Sequence, residues 1–118
     1  MNVKMLLRNT ATGGILLKKL AVAGTVWEKT RGLLGRKEMD AGEGLLIPRC
    51  RAVHTFLMRF RIGLIFLDEK NVVVAVRKDV KPWRLVFEPD AEAVIECSAD
   101  SPVLAEIKPG DRLEMAET

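Results

Sequence analysis

The side chains of this sequence with the most chemical potential lie in one short segment, 49–61. The segment contains the only histidine, His54, one of the two cysteines, Cys50, and four arginines, but no acidic residue. From Gly44 to Leu67 there is no Asp, Glu or Lys, so the four arginines give this stretch a charge of +4, against +3 for the whole chain. Guanidinium groups bind carboxylates and phosphates bidentately. The segment therefore predicts a binding site for an anionic group.

Catalytic and metal-binding readings of the same residues have less support. Cys50 and His54 would suit a nucleophile and its base, because a neighbouring imidazole activates a thiolate. On one extended strand, however, they would stand about 13 Å apart at about 3.3 Å per residue. A zinc site of Cys50, His54 and Cys97 lacks the closely spaced ligand pairs typical of zinc. We therefore expect no catalytic residue, metal or cofactor, and a core position for Cys97.

The arginines are the better candidates for function. Arg84 follows Trp83, and an arginine stacked on an indole gains about 0.5–2 kcal/mol while its guanidinium stays available to a ligand. The alternative is that each arginine only pairs with a nearby acid, which contributes about 0–1 kcal/mol. The predicted ligand-binding residues are Arg31, His54, Thr55, Arg59, Arg61, Trp83 and Arg84.

The acidic residues carry a weaker signal. Glu92 and Glu96 alternate with apolar residues, as the solvent-facing side chains of a strand do. We expect both to lie on the surface.

The elements that must position these residues are mostly short strands. One hairpin is predicted around the paired glycines at 13 and 14, and another around a polar turn that contains Asn71. The capping-box spacing of residues 25–28 predicts one helix near 25–35, and Ser101 followed by Pro102 indicates a short helical turn. The chain is predicted to be mainly β, a compact β-sandwich or open barrel of about seven or eight short strands with one helix, in a single domain 1–118.

The alternation of side chains then predicts which residues of the central segment face the core. Taken as a strand, residues 54–60 turn alternate side chains inward. These inward residues are His54, Phe56, Met58 and Phe60. Arg59 faces outward, and a bend near Arg61 leads into a strand, 62–67, that is apolar on both faces. Few aromatic rings would then be exposed, so we do not expect nucleic acid to bind.

Composition favours an ordinary globular protein. A chain of 118 residues with 48% hydrophobic and 30% charged residues can build one real core. No apolar run is long enough to span a membrane, and the first residues lack the pattern of a secretory signal. Two widely separated cysteines are typical of free thiols in a reducing compartment. We therefore predict a cytoplasmic location.

Five blocks of the sequence resemble the bacterial and archaeal family called domain of unknown function 192. The blocks are 27–36, 54–60, 65–68, 81–84 and 108–113, and their order and spacing match from about Ala21 to the end. The resemblance implies a β-rich single domain with one helix and no established activity. The family often has a proline and an aspartate where this chain has Arg61 and Gly63, so any role of that aspartate is missing here.

Three functions remain open. The first is a non-enzymatic module whose arginine patch, around Arg59 and Arg61, holds an anionic small molecule or an acidic segment of a partner. The second is a small enzyme that uses His54 as general acid or base on an anionic substrate. The third is a structural domain with an exposed sheet edge that pairs with another chain. A buried His54 satisfied by backbone groups would exclude the second.

Overall fold

The computed structural model describes residues 5–23 and 38–118, so the helix predicted near 25–35 lies outside the described residues. The described part contains nine strands and one short helix. They are β1 (Met5–Asn9), β2 (Ile15–Val22), β3 (Glu43–Pro48), β4 (Ala52–His54), β5 (Ile62–Leu67), β6 (Val73–Val80), β7 (Leu85–Phe87), β8 (Ala93–Ser98), α1 (Val103–Glu106) and β9 (Leu113–Glu117). The prediction of a mainly β fold is confirmed. In the same ranges no helix is long and apolar enough to cross a bilayer.

Seven of these strands form one large sheet, and β4 and β7 form a separate two-stranded ribbon. The order in the large sheet is β6-β5-β8-β3-β2-β1-β9, and its neighbours are antiparallel except for β2 and β3. Its two ends approach each other where Val72 forms a single bridge with Arg112. Next to that bridge the Val73 amide donates to the Asp111 carbonyl over 2.8 Å. The sheet curls until its ends touch at this point, but it stays open because no ladder joins β6 to β9.

Both predicted hairpins are confirmed, and their turns use the expected residues. β1 and β2 pair antiparallel around a turn in which Gly13 has φ of 73°. β5 and β6 pair antiparallel around Asn71, which has φ of 63°. Glycine and asparagine tolerate this left-handed conformation better than other residues, and so their positions mark the turns.

β5 is the strand that joins the two halves of the core. All six of its residues are buried, as predicted for a strand covered on both faces. Ile65 packs in one cluster with Leu104 of α1. Leu64 and Phe66 point the other way, into a second cluster with Val53 of the ribbon. The ribbon therefore lies over one face of the large sheet, and its inner side is anchored there.

The glycine at position 63 belongs to the same strand and has almost no free space. A Cβ added to Gly63 would lie 2.8 Å from Cδ2 of Leu104 and 3.1 Å from Sγ of Cys97. The first contact is too short for two carbon atoms, and the second is tight enough that the sulfur would have to shift slightly. An aspartate here, which the resemblance implied for other family members, would require Leu104 to move.

The predicted strand over residues 54–60 is wrong. β4 ends at His54, and the chain then turns, with Leu57 in the left-handed region at φ of 67°. Alternation stops at the turn, so His54 and Phe56 are exposed, Met58 is buried and Phe60 is half-buried. The prediction failed because it treated a strand followed by a turn as one continuous strand.

Candidate binding surface

Thr55 is the residue that ties the turn after β4 to the turn before β7. It is fully buried, and its hydroxyl donates to the Lys81 carbonyl over 2.6 Å and accepts from the Arg84 amide over 2.9 Å. Its own amide donates to the Arg84 carbonyl over 2.8 Å, and its carbonyl accepts from the amides of Trp83 and Met58. The side chain and the peptide groups of Thr55 thus provide hydrogen-bond partners for backbone groups in both turns. Thr55 positions the surrounding residues and has no exposed surface of its own.

Each of the two turns holds one large apolar residue in the left-handed conformation. Leu57 has φ of 67° and Trp83 has φ of 66°. Bulky residues rarely adopt this conformation, which costs about 1–3 kcal/mol and persists where the surroundings impose it. Both side chains are directed into solvent, Leu57 at 67% exposure and Trp83 at 60%. The hydrogen bonds of Thr55 therefore hold two strained turns that display apolar side chains.

The β4–β7 ribbon continues this apolar surface. His54 lies opposite Leu85, and Ala52 lies opposite Phe87. Directly opposed residues of an antiparallel pair share a face. Leu85 is 69% exposed and Phe87 is 60% exposed, whereas Val53, between the two pairs, is buried. One face of the ribbon is thus anchored in the core and the other presents apolar side chains to water.

Three rings connect the ribbon to the turns. The His54 and Phe56 ring centroids are 5.3 Å apart, and those of Phe56 and Trp83 are 5.8 Å apart with the planes inclined by 26°. We call the whole surface the aromatic ribbon face, and it consists of His54, Phe56, Leu57, Trp83, Leu85 and Phe87. The expectation that Phe56 points into the core is wrong, because its strand ends before it.

The charged residues in the two segments that form the aromatic ribbon face are all positive. Residues 52–60 and 81–87 contain Arg59, Lys81 and Arg84 and no acid, and all three side chains are exposed. Nη1 of Arg84 donates to the carbonyls of Pro82 and Trp83 over 3.3 and 3.4 Å, which keeps its guanidinium next to the indole residue. Arg59 makes no hydrogen bond or ion pair within the part of the chain that the structure describes. Neither arginine is neutralised by a described acid.

Arg61 belongs to a different surface. Its Nη1 lies 3.3 Å from Oδ2 of Asp79, and both side chains border a cavity of about 620 Å³. Lys78 lies at this cavity, but so do Glu38 and Asp100. Acids outnumber bases among these lining residues, so the surroundings do not favour an anion. For Arg61 the structure matches the alternative of a surface ion pair.

The predicted ligand residues thus separate into groups. Those brought together by the ribbon and its turns are His54, Thr55, Trp83 and Arg84. Arg59 is exposed and follows the first turn in the sequence. Arg61 lies apart, and Arg31 is outside the described residues. Three exposed residues of this surface were not predicted from the sequence: Leu57, Leu85 and Phe87. Trp83, Leu85 and Phe87 do alternate in the sequence, but an apolar alternation ordinarily indicates a core-facing strand side.

The geometry of His54 and the cysteines gives little support to catalysis or metal binding. The His54 ring packs on Phe56 and has no hydrogen bond to a described residue. The Cys50 thiol donates to the Ala52 carbonyl over 3.1 Å. Cys97 is fully buried, as predicted, and burial raises the pKa of its thiol to about 12. No cluster of three metal-ligating side chains occurs in residues 5–23 and 38–118.

Glu96 is the buried acid of the large sheet, and the expectation that it faces solvent is wrong. It is 4% exposed and lies between Leu45 of β3 and Leu64 of β5. Its Oε1 accepts no hydrogen bond in the described part of the structure. Burial disfavours the charged form and raises the pKa of this carboxyl to about 7. Its strand is central in the sheet, so the alternation that predicted exposure instead directs it into the second core cluster.

The family assignment follows from the sequence as a whole. The model of the DUF192 family, described as "Uncharacterized ACR", matches residues 7–115. The chain belongs to the DUF192 family. This agrees with the resemblance carried by the five sequence blocks. No curated protein gives a significant match.

Solved structures support the same fold. A protein of unknown function from Novosphingobium aromaticivorans superimposes with a TM-score of 0.77 at 21% identity, over 96% of this DUF192 chain and 84% of that one. A putative transcription regulator from Sinorhizobium meliloti gives a TM-score of 0.80 at 19% identity, over 98% and 94%. At these identities the likeness shows a shared fold and nothing about ligands.

Proposed function

We propose that this DUF192 protein is a binding module that holds an anionic small molecule or an acidic segment of a partner on the aromatic ribbon face. Arg59 and Arg84 are the residues that contact the anionic group. Trp83 and its neighbouring rings supply the apolar surface beside it.

One observation carries the proposal: Arg59 and Arg84 form no ion pair with any acid in the described structure. Surface cations are normally distributed among acids, as Arg61 is with Asp79. Hydrogen bonds to charged groups contribute about 1.5–3 kcal/mol, so an arginine that pairs with no acid can still make such a bond to an anionic ligand. Arg84 is also partly fixed by its bonds to Pro82 and Trp83. Less side-chain entropy is then lost when it binds.

The test is the binding of a short glutamate peptide and of inorganic phosphate, measured by calorimetry at low salt. Arg59→Ala and Arg84→Ala should each weaken binding about tenfold, which corresponds to about 1.4 kcal/mol. Arg112→Ala is the matched control, because it removes the same charge from an exposed arginine outside the ribbon. Equal weakening by all three variants would mean that only net charge matters, and the proposal would be rejected.

A catalytic module with His54 as general acid or base is the second candidate. It is favoured by one observation, the exposure of His54, which leaves the ring accessible to a substrate. It is weakened by the absence of any described group that orients the imidazole, which general acid–base catalysts ordinarily have.

A further inference from the structure

We infer that the ligand of the aromatic ribbon face is an acidic protein segment that carries at least one large apolar side chain beside its carboxylates. This rests on the proposed function and narrows its ligand from any anion to a peptide. The recognition has two parts, an electrostatic one at Arg59 and Arg84 and an apolar one along Trp83, Leu85 and Phe87.

The apolar part follows from exposure. Trp83, Leu85 and Phe87 alternate along the chain and are each at least 60% exposed. Contiguous exposed apolar surface of this kind, rimmed by polar residues, marks protein interaction sites. Tryptophan and arginine are also the residue types that dominate binding energy in such interfaces. Phosphate or another small inorganic anion has no apolar surface, so it would leave these side chains in water.

The charge of the face argues against a second copy of this chain as the occupant. A symmetric dimer through this face would bring Arg59, Lys81 and Arg84 of both copies into one interface. Like charges brought together in an interface oppose association. An acidic segment has the complementary charge.

The packing of the rings argues against a lipid bilayer or single-stranded nucleic acid. Phe56 is only 42% exposed, because its ring is flanked by His54 and Trp83. Rings stacked on one another in this way have less free surface to insert among acyl chains than separate rings have. They also offer few free faces for bases, which bind to aromatic platforms by stacking. A broad surface of packed rings suits apolar side chains of a peptide.

The two turns supply the rigidity that a peptide interface needs. Leu57 and Trp83 are held in the left-handed conformation by the hydrogen bonds of the buried Thr55. Strained backbone of this kind concentrates at ligand-binding sites. Because the turns are already ordered, binding loses little conformational entropy there.

The experiment compares two synthetic hexapeptides of equal charge. Each has two glutamates on either side of two identical central residues. The central pair is phenylalanine in one peptide and serine in the other. Fluorescence anisotropy at low salt should show the phenylalanine peptide binding the whole protein at least about tenfold more tightly. Phe87→Ser and Leu85→Ser should each reduce that preference, because both residues are exposed and their loss leaves the core intact. Ile15→Ser, at another exposed apolar residue, should leave it unchanged.

Each alternative result has a distinct meaning. Equal binding of the two peptides, lost in Arg84→Ala, would overturn this inference and leave the proposed function standing. Failure of both peptides and of inorganic phosphate to bind would overturn both. Failure of the peptides combined with binding of phosphatidylserine vesicles or oligothymidine, lost in Phe87→Ser, would assign the face to lipid or nucleic acid and overturn the inference.

Discussion

Replacing Glu96 by glutamine should change how the stability of the protein depends on pH. Burial raises the pKa of the Glu96 carboxyl from its ordinary value of 4.5 to about 7. The folded state therefore binds this proton more tightly than the unfolded state does. The resulting contribution to the free energy of unfolding is full below about pH 4.5 and is lost as the pH rises through about 7. At about 1.4 kcal/mol for each tenfold change in proton affinity, the loss reaches about 3 kcal/mol by about pH 8. Glutamine cannot ionise, so the free energy of unfolding of E96Q should not show this decrease with pH.

The assay is urea unfolding of wild type and E96Q at several pH values from about 4 to about 8. The buried amide carries its own constant cost, so the diagnostic quantity is the change with pH of the stability difference between the two proteins. E96Q should gain about 3 kcal/mol relative to wild type across this range. Glu114→Gln, at an exposed glutamate of β9, should show no such gain. A stability difference for E96Q that stays constant with pH would contradict a raised pKa, because the Glu96 carboxyl would then titrate alike in the folded and unfolded protein.

Three further substitutions test the framework of the binding surface. Thr55→Val should lower the free energy of unfolding by about 1–3 kcal/mol in urea titrations because it leaves buried backbone groups unpaired, whereas Thr10→Val, at an exposed hydroxyl, should cost less than about 1 kcal/mol. Gly63→Ala should cost about 1–3 kcal/mol in the same assay through overpacking, whereas Gly42→Ala, which has no neighbour closer than 4.0 Å, should be tolerated; equal costs would show that position 63 has room. Leu57→Gly should raise the melting temperature by relieving about 1 kcal/mol of backbone strain and should weaken binding of the phenylalanine peptide; a lowered melting temperature would contradict the strain.

Local patterns were enough to predict the hairpins and the most buried strand. Gly13 and Asn71 marked the two turns because left-handed backbone restricts which residues can occupy it. The run at 62–67 predicted a strand buried on both faces because no polar residue interrupts it. These features are determined by residues that are adjacent in the chain, so one sequence is enough to predict them.

Features set by distant residues could not be predicted in the same way. β4 stops at His54 because the next residue, Thr55, bonds to Lys81 and Arg84, which are 26 and 29 positions away. That stop is what exposes Phe56 and brings it to Trp83. Glu96 is buried because β3 and β5 flank its strand on both sides. The alternation of side chains along β8 does not reveal which strands pair with it. The candidate residues His54, Trp83 and Arg84 were found from their types, but the surface that unites them was not.

An NMR titration with the acidic phenylalanine peptide shows directly where the protein binds it. Backbone amide shifts should change mainly at residues 54–59 and 83–87, which form the aromatic ribbon face and its arginines. Changes confined to the cavity beside Arg61 and Asp79, or no saturable changes at low salt, would contradict the claim that this face is the binding surface of the protein.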